Sequence, residues 1–447
     1  MKRAILAALC ALSGTAVADP CGMVPPLNIT DTSTAIQRIG AQRTYVSFRD
    51  GMETIALRPG FEGKIDEFGM LIPFPSPPAI RKIDDNTFAH IESALHPPTV
   101  NVHIYDPRME MLRSMAYAPE AASEAMADDA DGYAEGALAY NEVRVVREEA
   151  VGMYQVAVLE AGSANALSKW MSDNGYRYPD GMDDVANEYV GEGWCFVAVK
   201  AQVGQAPGVA PQPGMRGVNP QLPDGATFDG YVQGMAFRFK TDKPVVPMRL
   251  SVFNGPDPRN VVYMLTDKPV KIEGVPDGHV VQQLRGEDLH SNLTDPLDVV
   301  YHNGDRKDLR DSDKEMVDGM RDPDPYLRIA RDLFAADLLA ARTDTLSLPF
   351  EELEKELLAV SEAFGMRGEG VDGLHSKALE EAKALAVDGA LDDVREMHIS
   401  VIDGVFPGNL LASQNLTFSM YEMPEDRNKP RWADIRSADL TTWVERK

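Results

Sequence analysis

Between Phe68 and Ile80 the sequence reads FGMLIPFPSPPAI, an apolar strand pattern that runs directly into four prolines. Proline has no N–H to give to a strand ladder and fixes its own φ. Pro73, Pro75, Pro77 and Pro78 therefore end strand pairing and impose an extended, polyproline-like exit. Any fold that contains this segment must place a sheet edge or a sheet end there. Two readings follow: a rigid corner that also discourages edge-to-edge aggregation, and a groove edge formed by Pro73, Phe74, Pro75 and Pro77. The corner is the plainer of the two.

The chain begins MKRAILAALCALSGTAVADP, with Lys2 and Arg3 ahead of an apolar run from Ala4 to Leu12 and the small-residue pattern Ala16-Val17-Ala18. That order is the pattern of a secretory signal peptide, with cleavage expected after Ala18. The apolar run is too short to span a bilayer, and no later segment approaches the length of a spanning helix. Export to the periplasm or the medium as a soluble chain is the expectation. The formal net charge of −26 repels phosphate backbones and anionic lipid, which argues against nucleic acid as a partner. Of the three cysteines, Cys10 lies in the leader. Cys21 and Cys195 remain, a pair that an oxidising compartment can bridge; two separate buried thiols are the other reading.

The 447 residues exceed one compact core and divide by pattern. After the leader (1–18), residues 19–116 read as a β-rich unit. TYVSFRDGMETIAL holds two alternating runs about Asp50-Gly51, a hairpin signal, and further strands are expected over Phe68–Phe74 and Val100–Tyr105. Residues 117–139 read as an acidic linker. Within it, Asp129, Asp131 and Gly132 fail as a calcium loop because Ala127 and Leu138 occupy ligand positions.

Residues 140–302 form an α+β unit. Ser163 is expected to cap a helix carrying Ala166, Leu167, Trp170 and Met171 on one face and stopping at Asn174-Gly175. GWCFVAVKAQV is a strand apolar on both faces, hence central, and 204–225 is a Pro/Gly-rich loop. A charged connector (303–322) leads to a mainly helical region, 323–447. There Leu327, Ala330, Phe334, Leu338 and Ala341 share a face; a second helix is expected after Pro349, a third over about Leu374–Asp388, and strands at the end. The fold class is α+β, with mixed and antiparallel sheets in the N-terminal and central units.

DPCGM, FGMLIPFPSPPAI, VAVLEAGSANALSKWMSDNGYRYP, YVGEGWCFVAVKA and FRFKTDKPVVPMRLSVF together resemble the bacterial family designated domain of unknown function 2330, over roughly residues 20 to 270. The resemblance implies an exported bacterial protein and assigns it no activity.

No catalytic or metal motif emerges. Among the eight histidines, HIESALH places His90, Glu92 and His96 at spacings that do not bring three ligands to one helix face. The G-x-S-x-G elbow and the phosphate-binding glycine loops are absent. Cys195, between Trp194 and Phe196 in an apolar strand, has no feature that would lower its pKa. Asn28, Asn292 and Asn415 head N-x-T triplets without meaning in a bacterium. The expectation is a non-catalytic binding or envelope-associated protein without cofactor, whose partner is a protein or a small molecule. The alternative is an extracytoplasmic, hydrolase-like enzyme whose site assembles only in three dimensions.

Overall fold

A computed structural model describes residues 37–38, 42–58, 60–65, 67–97, 99–105, 143–151, 154–202, 228–231, 233–254, 259–275, 277–295, 297–321, 324–346, 381–406, 413–422 and 440–445. The expected leader (1–18), Cys21, the expected linker (117–139) and loop (204–225), and the helix expected after Pro349 lie outside the described residues.

The hairpin at Asp50-Gly51 seeds the main sheet. Gln42–Arg49 and Met52–Leu57 pair antiparallel with Arg49 opposite Met52, so only two residues turn. Both have positive φ, 51° at Asp50 and 79° at Gly51. Asp and Gly tolerate that region, and the turn's twist matches that of the strands. Met235–Lys240 and then Ala79–Lys82 extend the sheet on one side. On the other, Asn260–Thr266 pairs parallel with Gln42–Arg49, followed by His398–Gly404 and Val280–Arg285. This seven-stranded mixed sheet draws strands from each unit that composition had separated. Composition follows exposure, whereas these pairings join residues far apart in sequence.

A second sheet of four antiparallel strands has the order Glu67–Phe74, Cys195–Gln202, Tyr154–Ala161, Val143–Val151. The two-sided apolar strand at Cys195 is central, as its pattern predicts. Because side chains alternate across a strand, Met70, Ile72, Phe74, Cys195, Val197 and Val199 face the larger sheet. There they meet Val46, Ile55, Phe237, Phe239, Val262 and Met264 in one core.

The outer faces are covered by helices. Leu71, Phe196 and Ala198 pack under Ala164–Asp173 and Met182–Gly191, and the first of these is capped by Ser163 Oγ, which accepts from Ala166 N. Tyr45, Ala56, Tyr263 and Val401 pack under Thr87–Leu95, Gly286–Thr294, Asp324–Thr343 and helical residues 381–391. The result is four layers, helix, sheet, sheet, helix, of mixed α+β class.

A small parallel sheet, Asp298–His302, Thr99–Tyr105 and Leu440–Glu445, stands beside this body. Residues 303–321, within the span expected to be a connector, are folded against it. Asp311–Gly319 is helical, and Leu309 and Val317 cover Val100, Val102 and Ile104. Met320 packs against the same cluster, so three apolar side chains anchor a highly charged segment on a strand face. Among the described residues no helix is long and apolar enough to cross a membrane.

Candidate functional site

The proline run carries the chain from one sheet to the other. Glu67–Phe74 is an edge of the four-stranded sheet and Ala79–Lys82 an edge of the seven-stranded one. Pro73, opposite Phe196, sits on that edge, where a strand tolerates a missing donor. Side chains replace the lost backbone bonds. Ser76 Oγ donates to Lys240 O at 2.8 Å and accepts from Lys240 N at 3.1 Å, and Arg147, buried, donates to Pro78 O at 2.7 Å.

Phe74 does not edge a groove. Strand parity turns it into the inter-sheet core, fully buried, with the rings of Phe237 and Phe239 each 5.1 Å away. Pro73 is buried, whereas Pro75 and Pro77 are half-buried at the corner. Beside Phe74, Cys195 is a free, buried thiol directing Sγ at Phe74 O, 3.5 Å away. Burial, then Glu160, pushes that thiol up to about 12, and no disulfide occurs among the described residues.

The HIESALH residues part company, His90 and Glu92 on the helix Thr87–Leu95 and His96 at its C-cap. Glu92 turns to Tyr263, whose hydroxyl donates to it at 2.5 Å, and to Arg43 Nε at 2.7 Å. Burial holds His90 and His96 below the usual histidine range. No group of three His, Cys, Asp or Glu converges as a metal site among the described residues. Two of the N-x-T amides have internal partners: Asn292 donates to Ala94 O, and Asn415 Oδ1 accepts from Tyr189 Oη and Met248 N.

Among the described residues, Asp337, Arg238, Thr54 and Arg81 form a largely buried polar constellation that no sequence motif marks. In the helix Asp324–Thr343, alanines around Phe334 allow close approach to the sheet, and Asp337 lies on the buried side. Across from it, strand alternation puts Thr54 and its cross-strand neighbour Arg238 on the helix-facing side, with Arg81 on the adjoining edge strand. Asp337 Oδ1 accepts from Arg238 Nη2 at 2.5 Å, Thr54 Oγ1 at 2.8 Å and Arg81 Nη2 at 3.4 Å, while Arg238 Nε donates to Thr54 Oγ1 at 3.2 Å. Asp337 Oδ2 accepts no hydrogen bond among the described residues. Burial, then the Asp337 carboxylate, holds the neighbouring Tyr45 hydroxyl well above the tyrosine range.

The arrangement gathers three donors on one carboxylate oxygen, and burial keeps Tyr45 neutral, so its chemistry is that of a clamp between helix and sheet. The overlooked signal was an acid inside an apolar helical run, LFAADLLAA, and a base inside an apolar strand, MAFRFK.

The model of the family described as uncharacterized protein conserved in bacteria, DUF2330, matches residues 16–284. No curated protein and no solved structure matches the chain. The matched span contains Thr54, Arg81 and Arg238, while Asp337 lies beyond it.

Proposed function

We propose, for a chain that belongs to the bacterial family DUF2330, export from the cytoplasm and a non-catalytic role as a binding or envelope-associated protein. The observation that carries this reading is how the buried ionisable groups are used. Asp337 joins helix to sheet through Arg238, Arg81 and Thr54. Glu53 receives Val245 N, and Arg147 holds the proline corner. Groups held by internal partners stabilise layers, and a carboxylate that shares one oxygen among three donors is less available to move protons or attack a substrate. The basic and apolar leader followed by Ala16-Val17-Ala18 supports export.

The test is recovery of the native chain from fractionated cells, with N-terminal sequencing and native mass spectrometry of whatever stays bound. A chain beginning at Asp19 in the periplasmic or external fraction, carrying a protein or small molecule, is the expected result. Retention of Met1 in the cytoplasm contradicts export. Turnover of an ester or amide substrate that Asp337→Asn abolishes, while the variant keeps its fold, contradicts the non-catalytic role and favours a hydrolase-like enzyme.

A further inference from the structure

In the small parallel sheet, the residues that alternate with Val100, Val102 and Ile104 form the face away from the Leu309 and Val317 cover. That face holds Asn101 and His103 on the middle strand and Asp298, Val300 and His302 on its neighbour, with Asp298 and Val300 exposed and the other three half-buried. His302 is in direct register with His103, although 198 positions intervene between them in the sequence. Their rings stack with centroids 4.4 Å apart and planes 11° from parallel. His302 Nε2 lies 2.7 Å from Asn101 Oδ1. An amide oxygen only accepts, so Nε2 carries the proton and the lone pair is on Nδ1.

We propose that His103 and His302 form a two-imidazole site for a divalent transition cation of the imidazole-preferring class, Cu(II) foremost, with Ni(II) and Zn(II) weaker. Three features combine. Adjacent parallel strands hold the two rings in register with centroids 4.4 Å apart. Lone pairs lie in the ring planes, so the stacked rings must tilt toward each other until their nitrogens stand about 3 Å apart, as two metal–nitrogen bonds of about 2 Å require. Asn101 supplies the outer contact that a ligating histidine ordinarily makes with its other nitrogen, fixing tautomer and ring orientation. Two nitrogen donors with solvent in the remaining positions suit a tetragonal Cu(II) ion, and affinity for such a site peaks at copper among the divalent metals. A chain of net charge −26 also raises the cation concentration at its surface.

The experiment is titration of untagged, chelator-stripped full chain with Cu(II), followed by calorimetry and electron paramagnetic resonance. One equivalent should bind per chain, with a spectrum showing two nitrogen donors. His103→Ala and His302→Ala should each weaken binding by at least tenfold, and Asn101→Ala by roughly tenfold through loss of orientation alone. Should a variant fail to fold, the unaltered chain still decides. Cu(II) should protect His103 and His302 from diethyl pyrocarbonate more than the other histidines. Absence of saturable uptake, uptake unchanged in both histidine variants, or protection confined to other histidines overturns the proposal.

Discussion

Asp337 takes the guanidinium of Arg238 at 2.5 Å, with 2% and 4% of the two side chains exposed. A pair so far from water is held by its mutual attraction and its extra hydrogen bonds. Removing one partner leaves an uncompensated buried charge. Asp337→Ala should therefore cost about 3–5 kcal/mol, and Arg238→Ala a similar amount, read from denaturant unfolding midpoints. Asp337→Asn keeps an acceptor oxygen for Thr54 and should lose less. A loss below about 1 kcal/mol for Asp337→Ala would place the pair among surface ion pairs in worth and contradict the clamp.

What was legible in the sequence was local. The Asp50-Gly51 turn, the Ser163 cap and the central place of the Cys195 strand each depend on a few adjacent residues, and the structure has all three. The parallel pairing of Asn260–Thr266 with Gln42–Arg49 has no local signature, because the two strands are more than two hundred residues apart and no turn records their register. The polar positions were missed for a related reason. METIAL alternates so that Glu53 shares a face with Ile55 and Leu57, and MAFRFK puts Arg238 beside Ala236. Each can be read as a buried charge only once both faces of the sheet are known to be covered.

Glu53 gives a pH-dependent prediction. It is fully buried among inter-sheet residues and accepts from Val245 N at 3.1 Å, and burial raises its carboxyl well above the usual value of 4.5. An acid whose folded value is raised stays protonated in the fold while the unfolded chain ionises. Its contribution to stability therefore falls as pH rises from about 4.5 toward the folded value, by at most about 1.4 kcal/mol per pH unit. Glu53→Gln, still an acceptor for Val245 N, should match the parent near pH 4 and exceed it in stability at pH 8. Equal effects at both pH values in urea titrations would show that Glu53 is not held neutral.

Gly286 opens the helix Gly286–Thr294 against the turn Asp392–Glu396, and a Cβ there would lie 1.9 Å from Val394 O and 2.5 Å from Met397 O. Those are backbone atoms, which cannot swing aside as a side chain can. Gly286→Ala should cost about 1–3 kcal/mol or more through overpacking, despite the better helix propensity of alanine. Gly191→Ala, where the same atom would meet nothing within 4 Å, serves as the control. Equal melting temperatures for the two variants would refute the close approach.

Cys195 offers the last prediction, and it bears on whether Cys21 and Cys195 are joined. The residue is the first of a strand bounded on both sides by other strands, 1% exposed, with its sulfur in the core between the sheets. Reaction needs the thiolate. Burial has pushed the thiol up to about 12, so at neutral pH both access and ionisation oppose labelling. Iodoacetamide should leave Cys195 unmodified in the native protein and alkylate it fully once the chain is unfolded in denaturant, with no reductant present. Mass spectrometry of the peptide containing Cys195 reads the result directly. Native labelling as fast as that of the unfolded chain would mean that the two sheets open readily. Recovery of that peptide only after reduction, linked to the one containing Cys21, would establish the bridge and overturn the free thiol.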